Sequence, residues 1–504
     1  MGATKSHRVT EEELADEVWE DESPAAAGTH QGKASPSPSA DTRTERSATG
    51  WRTERDGLGE IEVPTERLWG AQTERSRRHF AIGTLRMPLE VVHAYGWVKQ
   101  AAAITHARMG LLPPERADAI AAACQELTRG QLDDEFPLGV FQTGSGTHTH
   151  ANVNEVLAHR ASQILRAKTG TATAIHPSDE VNLGQSTNDT FVTTMHLAAI
   201  HTLHESVLPA LGGLVNDLQA KAIQWATIPK SGRTHLMDAT SLTVGQEWSG
   251  YAASLDASRR HVIASMHDLH ELAMGGTAVG TGLGASAGFA EDVIAELASL
   301  TGYPLRRAND HFGAQSTLDA MVRSHGSLKS VAVTLFKIAN DLRWAASGPR
   351  HGLGEFLPPE LEPGSTMMPG KVNPAQAEAV LMVCIQVFGN DVIAAHAGAE
   401  GNFELNAFRP VTAHSYFQSA QLLSDASRSL GHFYVSRLEL GPRLLSDKAT
   451  SNPVEQATLL AQQVGHEVAA RIARHAAARG NDVLSEALEE GVPLELIDRI
   501  RARA

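Results

Sequence analysis

The sequence contains little cysteine, since Cys124 and Cys384 are the only two thiols in 504 residues. Both lie in apolar helical contexts, which fits two buried thiols in a reducing compartment. We therefore expect a cytoplasmic protein. Hydrophobic residues make up 42% of the chain and charged residues 20%, which is typical of a soluble globular protein with two or three domains.

An excess of positive charge is also missing, because the formal net charge is −15. Binding a phosphate backbone needs a basic face, so nucleic acid is excluded as a main partner. A small anionic substrate is not excluded, because a local pocket of Lys, Arg and backbone N–H groups captures one regardless of the global charge. No uninterrupted apolar run looks long enough for a bilayer, and the first residues resemble neither a secretory signal nor a transit peptide. We expect no membrane association.

Signals for cofactors and metals are equally scarce. No nucleotide-binding glycine motif follows a predicted strand. The pair His148 and His150 invites interpretation as a metal site, but the expected third ligand and carboxylate spacing are missing. We predict no cofactor and no metal.

The composition divides the chain. Residues 1–51 carry an acidic block and then a segment rich in Ser, Pro, Ala and Gly, which cannot bury enough apolar surface to offset its ordering entropy. We expect a disordered N-terminal extension there. From residue 52 the composition is globular, and we predict an N-terminal domain (52–185), a central domain of long helices (186–442) and a small helical C-terminal domain (443–504).

Helical periodicity dominates the central part of the chain. A helix over residues 192–226 is predicted to follow the capping residues 186–189 and to bend or break at Pro209. Two further apolar series have helical spacing: Trp248, Tyr251, Leu255, Val262, Met266 and Leu269, and then Leu328, Val331, Leu335, Ile338 and Leu342.

The segment 379–387 (AVLMVCIQV) is apolar around nearly its whole circumference. A helix of that kind is buried on all sides. The shared centre of an oligomer offers several such places, whereas a single small bundle offers few. We therefore predict an all-α protein whose central bundle assembles with copies of itself.

Four stretches rich in Gly, Ser, Thr and His interrupt the helices: 143–155, 176–189, 232–240 and 364–374. Each one alone is as well explained as a helix cap or a turn. Together they place many hydroxyl, amide and helix N-terminal N–H groups in loops on a rigid scaffold. Such groups are what a carboxylate ligand needs, so we expect a site for a small anion.

The last stretch, GSTMMPGKVNP, is similar to the signature of the fumarase/aspartase superfamily. The segments GSGT followed by NEVLAHRA, GRTHLMDAT, GGTAVGTGL, ASGPRHGLGE and GNFELNAFRP resemble class II fumarase, in the family's order, from about residue 52 almost to the C-terminus. This resemblance implies a fumarase/aspartase-like all-α fold. Its long central helical bundle would form the core of a homotetramer, with smaller N- and C-terminal domains. The implied activity is the reversible hydration of fumarate to L-malate in the tricarboxylic acid cycle.

The resemblance also implies roles for particular residues. Ser365 would be the proton acceptor, and Lys371 and Asn373 would bind one substrate carboxylate. His235, paired with Glu378, would polarise the water that adds or leaves. The remaining substrate-binding residues would be Ser145, Gly146, Thr147, Ser186, Thr187, Asn188, Thr234, Thr366 and Val372.

Two further expectations come from the same resemblance. His176, Pro177, Ser178 and Asp179 match a second anion site of the family. Each active site would take residues from three subunits, so the polar stretches are expected to converge only in the homotetramer.

The sequence departs from the usual fumarase pattern at several positions. The family commonly has asparagine at the positions of His150 and Ser178, and serine at the position of Thr187. Because His150 closely follows the GSGT stretch, it is the departure that bears most directly on substrate affinity, pH dependence or substrate choice.

Two alternative functions remain open at this stage. An aspartate ammonia-lyase, or another fumarate-releasing lyase of the superfamily, shares the mechanism. However, the ammonia-lyase branch usually carries Gln at the position of His235 and Ala at that of Gly370. A catalytically weak paralogue with a binding role is the second alternative, and the intact set of expected catalytic residues argues against it.

Overall fold

The first described element is an antiparallel hairpin of β1 (Trp51–Asp56) and β2 (Gly59–Pro64). The computed structural model describes residues 50–170, 174–445 and 452–502. The predicted disordered extension therefore lies almost entirely outside the described residues.

Helices make up most of the described chain, which confirms the all-α prediction. They are α1 (Ala71–His79), α2 (Leu89–Arg108), α3 (Pro114–Thr128), α4 (Thr147–Thr169), α5 (Thr187–Thr202), α6 (Leu208–Gln224), α7 (Val244–Leu269), α8 (Phe289–Thr301), α9 (His311–Ser316), α10 (Asp319–Ala345), α11 (Ala375–Ala399), α12 (Arg409–Ser429), α13 (Pro453–Val464), α14 (His466–Arg479), α15 (Val483–Glu489) and α16 (Leu494–Arg501).

The strands are short, and each one pairs with one other strand. Besides the first hairpin they are β3 (Pro229–Thr234) with β4 (Met237–Thr243), β5 (Glu271–Leu272) with β6 (Arg306–Arg307), and β7 (Phe356–Leu357) with β8 (Glu439–Leu440). The pair β5–β6 is parallel and the other three pairs are antiparallel.

The central bundle is built from α5, α6, α7, α10, α11 and α12. Every residue of the two predicted apolar series, on α7 and α10, is buried. These series confirm the long-helix prediction, since residues at helical spacing share one face and that face packs against neighbouring helices. One apolar core contains residues from Val63 to Leu444, so it includes residues on both sides of the predicted boundary at residue 186. That boundary stays a prediction.

The predicted helix over residues 192–226 starts earlier than expected, and it is interrupted close to the predicted bend at Pro209. It begins at Thr187, because Ser186 forms a capping box: its Oγ accepts from Asn188 N at 3.2 Å and its N–H donates to Asp189 Oδ1 at 3.1 Å. A π-helical turn at Leu203–Val207 separates α5 from α6. The irregularity comes just before Pro209, which has no N–H to donate to the preceding turn.

The expected burial of α11 on all sides within an oligomer is not tested by a single chain. Within one chain α11 is buried on one side only, while Met382, Ile385, Val392 and Ile393 are exposed on the other. By length and composition, α11 is also the one described helix apolar enough to cross a membrane, contrary to the sequence-based expectation. A core helix of a bundle meets the same criterion, and α11 packs against α10 and α12.

The last four helices, α13 to α16, enclose a second apolar core. Leu460, Ile472, Leu484 and Ile497 are fully or almost fully buried in it. This core agrees with the prediction of a small helical C-terminal part, whose exact limits stay a prediction. Asn452 ties its first helix to the β3–β4 hairpin by donating to the carbonyl of Ala239 at 2.6 Å.

Candidate active site

The first two polar stretches meet at the N-termini of α4 and α5. His150, in the first turn of α4, has its Nδ1 2.8 Å from Thr187 Oγ1, in the first residue of α5. Ser145 Oγ and Thr147 Oγ1 are 2.7 Å apart just before α4. Because helix N-termini present unpaired N–H groups and a positive dipole end, this junction suits an anion.

Two glycines allow the turn before α4 to pack so tightly. A Cβ on Gly144 would lie 1.6 Å from the carbonyl oxygen of Ala407. Gly146 has φ 84°, and a Cβ there would lie 2.2 Å from the ring of Phe191. A side chain at Gly144 would have to displace the backbone of Ala407. One at Gly146 would have to displace the ring of Phe191, in a backbone conformation that favours glycine.

Arg409 holds the two stretches together, and sequence reasoning missed it. Its backbone N–H donates to Gly144 O at 3.1 Å, and its Nη1 donates to Thr187 O at 3.3 Å. Nη2 donates to the carbonyl of Gln315 at 2.5 Å. The side chain is fully buried, and this burial lowers its pKa to about 10. It lies in the quoted segment GNFELNAFRP, but the motif alone does not distinguish a buried arginine from an exposed one.

Asp189 attaches a third segment to the same place. Its Oδ2 accepts from the backbone N–H groups of Gly275 and Thr277 at 3.0 and 2.9 Å. Burial raises the pKa of this carboxyl to about 6, while the backbone donors work in the opposite direction. Asn188 Nδ2 donates to Ala278 O at 2.7 Å, so the GGTAVGTGL segment borders the site.

The third stretch forms the tip of the β3–β4 hairpin. His235 and Leu236 have φ 57° and 63°, as a tight two-residue turn requires. Both are exposed, as is Thr234. His235 lies at a cleft of about 870 Å³ between α7 and α10, which also includes Tyr251 and Trp344.

Buried ion pairs anchor this hairpin beneath the histidine. Lys230 Nζ lies 2.9 Å from carboxylate oxygens of both Glu247 and Glu355. Arg233 Nη1 lies 2.7 Å from the second oxygen of Glu355. These basic side chains are therefore already paired, and their effect is to fix the position of the tip.

The fourth stretch closes on itself around Ser365. The Oγ of Ser365 accepts hydrogen bonds from the N–H groups of Met367 at 3.2 Å and Met368 at 3.0 Å. Two such donors stabilise negative charge on an oxygen, which a serine needs to accept a proton. The sequence predicted Ser365 as the proton acceptor but did not identify these two donors.

The base of this loop is closed by Asn373, whose Nδ2 donates to Gly364 O at 2.6 Å. A Cβ on Gly364 would lie 2.0 Å from the carbonyl oxygen of Lys371, so the two ends of the loop pass in direct contact. The side chains of Lys371 and Thr366 are exposed, and Val372 is half-buried.

Glu378 lies in the first turn of α11 and is exposed. Across the described residues 50–170, 174–445 and 452–502, neither Glu378 nor His235 has a hydrogen bond or ion pair from its side chain. In the same part of the chain, no hydrogen bond or ion pair joins the Ser365 loop to the hairpin tip or to the α4–α5 junction. One chain thus brings the first two stretches together and leaves the other two apart from them.

The expected second anion site forms a π-helical turn at Pro177–Val181. His176 Nδ1 accepts from the backbone N–H groups of Ser178 at 3.3 Å and Asp179 at 3.0 Å. These two donors already have an acceptor within the chain, and an anion would have to displace the imidazole. A second anion site here stays a prediction.

Candidate metal ligands occur close together at one place within the described residues. His475, Glu486 and Glu490 lie in the C-terminal helices, where Arg471 and Arg479 pair with the two carboxylates. The histidines His148 and His150 are engaged elsewhere, with His148 Nδ1 2.9 Å from Ser76 Oγ.

Comparison with known proteins places this arrangement in a family. Residues 59–389 match the family described as "Lyase". The chain is 50% identical over 440 residues to a class II fumarate hydratase of Ralstonia nicotianae, covering 87% of this chain and 95% of that protein. It is 48% identical over 455 residues to a class II fumarate hydratase of Methanosarcina acetivorans, covering 90% and 94%.

The fold agrees with this relationship. The crystal structure of class II fumarase from Schistosoma mansoni superposes with a TM-score of 0.86 at 37% identity, covering 90% of this chain and 98% of that one. Sequence and fold both assign the chain to this lyase family. Within it, the chain belongs to the class II fumarate hydratases.

Proposed function

We propose that this chain catalyses the reversible, stereospecific hydration of fumarate to L-malate, as a hydro-lyase of the tricarboxylic acid cycle. The proposal rests on sequence identity. About half of the aligned residues are identical to those of proteins named class II fumarate hydratase, over nearly the full length of those proteins. The small dicarboxylate substrate also fits the hydroxyl, amide and helix N-terminal groups at the α4–α5 junction.

In this proposal Ser365 moves the proton at the carbon next to one carboxylate. In the direction from malate, its oxygen takes a proton from C3, and the electron pair enters the adjacent carboxylate as an aci-carboxylate. Lys371 and the remaining N–H of the Asn373 amide act on that developing charge. Donors aimed at charge that develops in the transition state lower the barrier more than donors that bind the ground state equally well.

His235 acts on the opposite side of the substrate. In hydration it accepts a proton from the water whose oxygen forms the new bond to C2, and in dehydration it returns that proton to the departing hydroxyl. Glu378 would hold the imidazole in the required tautomer. Ser145, Thr147, Thr187 and Asn188, with neighbouring backbone N–H groups, would bind the second carboxylate.

The site in this proposal is completed by a homotetramer in which three subunits contribute to each active site. Two observations support it. His235 and Glu378 lie unpaired on separate elements of one chain, and α11 carries an apolar stripe exposed in the single chain. An exposed apolar stripe along a long helix is characteristic of a surface that another chain covers.

A cytoplasmic location without metal or cofactor completes the proposal. Cys124 and Cys384 are both buried free thiols, which is consistent with a reducing compartment. No step of the proposed reaction transfers electrons to an acceptor outside the substrate.

The proposed function is tested by ultraviolet spectroscopy with fumarate, L-malate and L-aspartate as separate substrates. We expect absorbance to fall with fumarate and to rise with L-malate, with no ammonia formed from L-aspartate. Ammonia from L-aspartate would assign the chain to the ammonia-lyases instead. Inactivity on all three substrates by the assembled protein would favour a binding paralogue.

A further inference from the structure

A chain of buried polar groups lies directly behind Thr187. Lys99, fully buried on α2, has its Nζ 2.7 Å from His150 Nε2, and His150 Nδ1 is 2.8 Å from Thr187 Oγ1. The other two donors of Lys99 are directed at Asn182 Oδ1 and Gln185 Oε1, both at 2.9 Å. All three hydrogens of the ammonium group are thereby used.

These contacts fix the direction of each hydrogen bond. A protonated lysine only donates, so the Nε2 of His150 must be the acceptor. The neutral ring then carries its hydrogen on Nδ1 and donates it to Thr187 Oγ1. Stacking on Tyr95, with ring centroids 5.2 Å apart, holds the imidazole in this orientation.

The hydroxyl hydrogen of Thr187 is consequently directed away from His150. The residue is half-buried at the open junction, and its Oγ1 has no acceptor among the described parts of the chain. That hydrogen is available to a ligand at the junction. If Lys99 loses a proton, its Nζ can accept a hydrogen bond from His150 Nε2. Each hydrogen bond in the series then reverses its direction, and the hydroxyl hydrogen of Thr187 turns toward His150.

We propose that His150 is a positioning residue that keeps the Thr187 hydroxyl a donor toward the substrate carboxylate and couples it to the proton on Lys99. The inference rests on the proposed function, because it takes Thr187 as a carboxylate-binding residue. It implies that dicarboxylate affinity falls when Lys99 is deprotonated, and that binding a dicarboxylate draws a proton onto Lys99.

The surroundings of Lys99 place this change near neutral pH. Burial lowers the pKa of Lys99 to about 7, partly opposed by the charge of Asp189 on α5. Burial raises the pKa of the neighbouring Cys124 thiol on α3, so that group is uncharged in this range. Burial and the nearby Lys99 lower the pKa of both His150 on α4 and His106 on α2, so both rings are neutral in this range. The sign follows from Lys99: as the pH rises through 7 and its ammonium group loses a proton, dicarboxylate affinity falls.

Two substitutions of His150 each remove the hydrogen bond of one ring nitrogen and keep that of the other. His150→Asn retains a donor at the place of Nδ1, toward Thr187, but has no group at the place of Nε2. His150→Gln retains an acceptor toward Lys99 but loses the donor to Thr187. Asparagine and glutamine are both polar and similar in size, so a purely structural role of His150 predicts similar losses in the two variants. A difference between the variants therefore reports on the Thr187 hydroxyl.

The measurement is the Kd of succinate, a saturated dicarboxylate that cannot be hydrated, by calorimetry from pH 6 to 8.5, together with kcat and KM for fumarate. At pH 6 we expect His150→Gln to weaken succinate binding about tenfold (~1.4 kcal/mol) and His150→Asn to weaken it less than about threefold. The unsubstituted protein should lose succinate affinity several-fold as the pH rises, whereas the His150→Asn variant should show no such loss. KM should change more than kcat.

A buried histidine outside the junction provides the matched control. His196 on α5 has its Nδ1 3.0 Å from the carbonyl of Glu271, and His196→Gln should leave the pH dependence of succinate binding unchanged. Should His150→Gln fail to fold, Thr187→Val replaces it, and His150→Asn should then add no further loss in the double variant.

Equal losses in the Asn and Gln variants, or an unchanged pH dependence in both, would overturn the inference. So would a succinate affinity of the original chain that does not change between pH 6 and 8.5. Because succinate binding needs no turnover, it is independent of whether fumarate is hydrated. Failure of the hydratase assay with normal succinate titrations would reject the proposed reaction and leave the role of His150 intact.

Discussion

Replacing Ser365 with alanine is expected to lower kcat by about three orders of magnitude, since a general base contributes roughly 10²- to 10⁴-fold. The variant loses the oxygen that accepts hydrogen bonds from Met367 and Met368 and would receive the substrate proton. Substrate affinity should change little, because Lys371 and Asn373 remain. The loop should keep its shape, because the contact of Asn373 with Gly364 closes it independently of the serine.

Steady-state kinetics with fumarate and the thermal unfolding midpoint measure these two effects separately. Ser162→Ala is a matched control, because its hydroxyl also accepts a backbone N–H, from Ile175 at 2.8 Å, in the C-terminal half of α4 and outside the α4–α5 junction. That control should keep its kcat. Full activity in Ser365→Ala would mean that the proton acceptor is another group.

Replacing Ile385 with lysine is expected to dissociate the proposed homotetramer and to reduce activity below about one per cent. Ile385 is 60% exposed in one chain and lies midway along the stripe of Met382, Val392 and Ile393 on α11. In an apolar interface, the added ammonium would be an unpaired charge that costs about 3 kcal/mol or more per copy. Loss of the tetramer would also separate the groups that the proposed active site takes from different chains.

Size-exclusion chromatography with light scattering, followed by the fumarate assay on the same fractions, measures assembly and activity together. Ile223→Lys is the matched control, because Ile223 is 78% exposed at the end of α6, away from the stripe. It should remain tetrameric and active. A tetrameric, active Ile385→Lys would show that the stripe is not the interface.

Helical periodicity was sufficient to predict α7 and α10 of the bundle. The series from Leu328 to Leu342 is buried along α10, because helical spacing alone determines that these side chains share a face. The same reasoning predicted that 379–387 is buried on every side at the centre of an oligomer. One chain covers one side only, so full burial stays a prediction. Composition shows which faces are apolar, but it does not show whether the same chain or another one covers them.

The candidate site was predictable as a set of loops but not as a set of contacts. The four polar stretches were visible because Gly, Ser and Thr interrupt helical patterns. Arg409 was missed as the link between Gly144 and Thr187, because it lies 222 residues from Thr187 along the chain. The hydrogen bonds of Lys99 and His150 were missed for the same reason, since no local pattern reveals a partner on another helix.

The proposal that subunits share each active site is tested most directly by mixing two variants expected to be inactive, Ser365→Ala and His235→Asn, after joint dissociation and reassembly. If the two groups act from different subunits, random symmetric tetramers contain both native groups in about a quarter of their sites. We therefore expect hydration of fumarate to recover to about a quarter of the original activity, whereas each variant reassembled alone stays inactive. No recovery in verified mixed tetramers would contradict the account, because Ser365 and His235 would then have to act from one and the same chain.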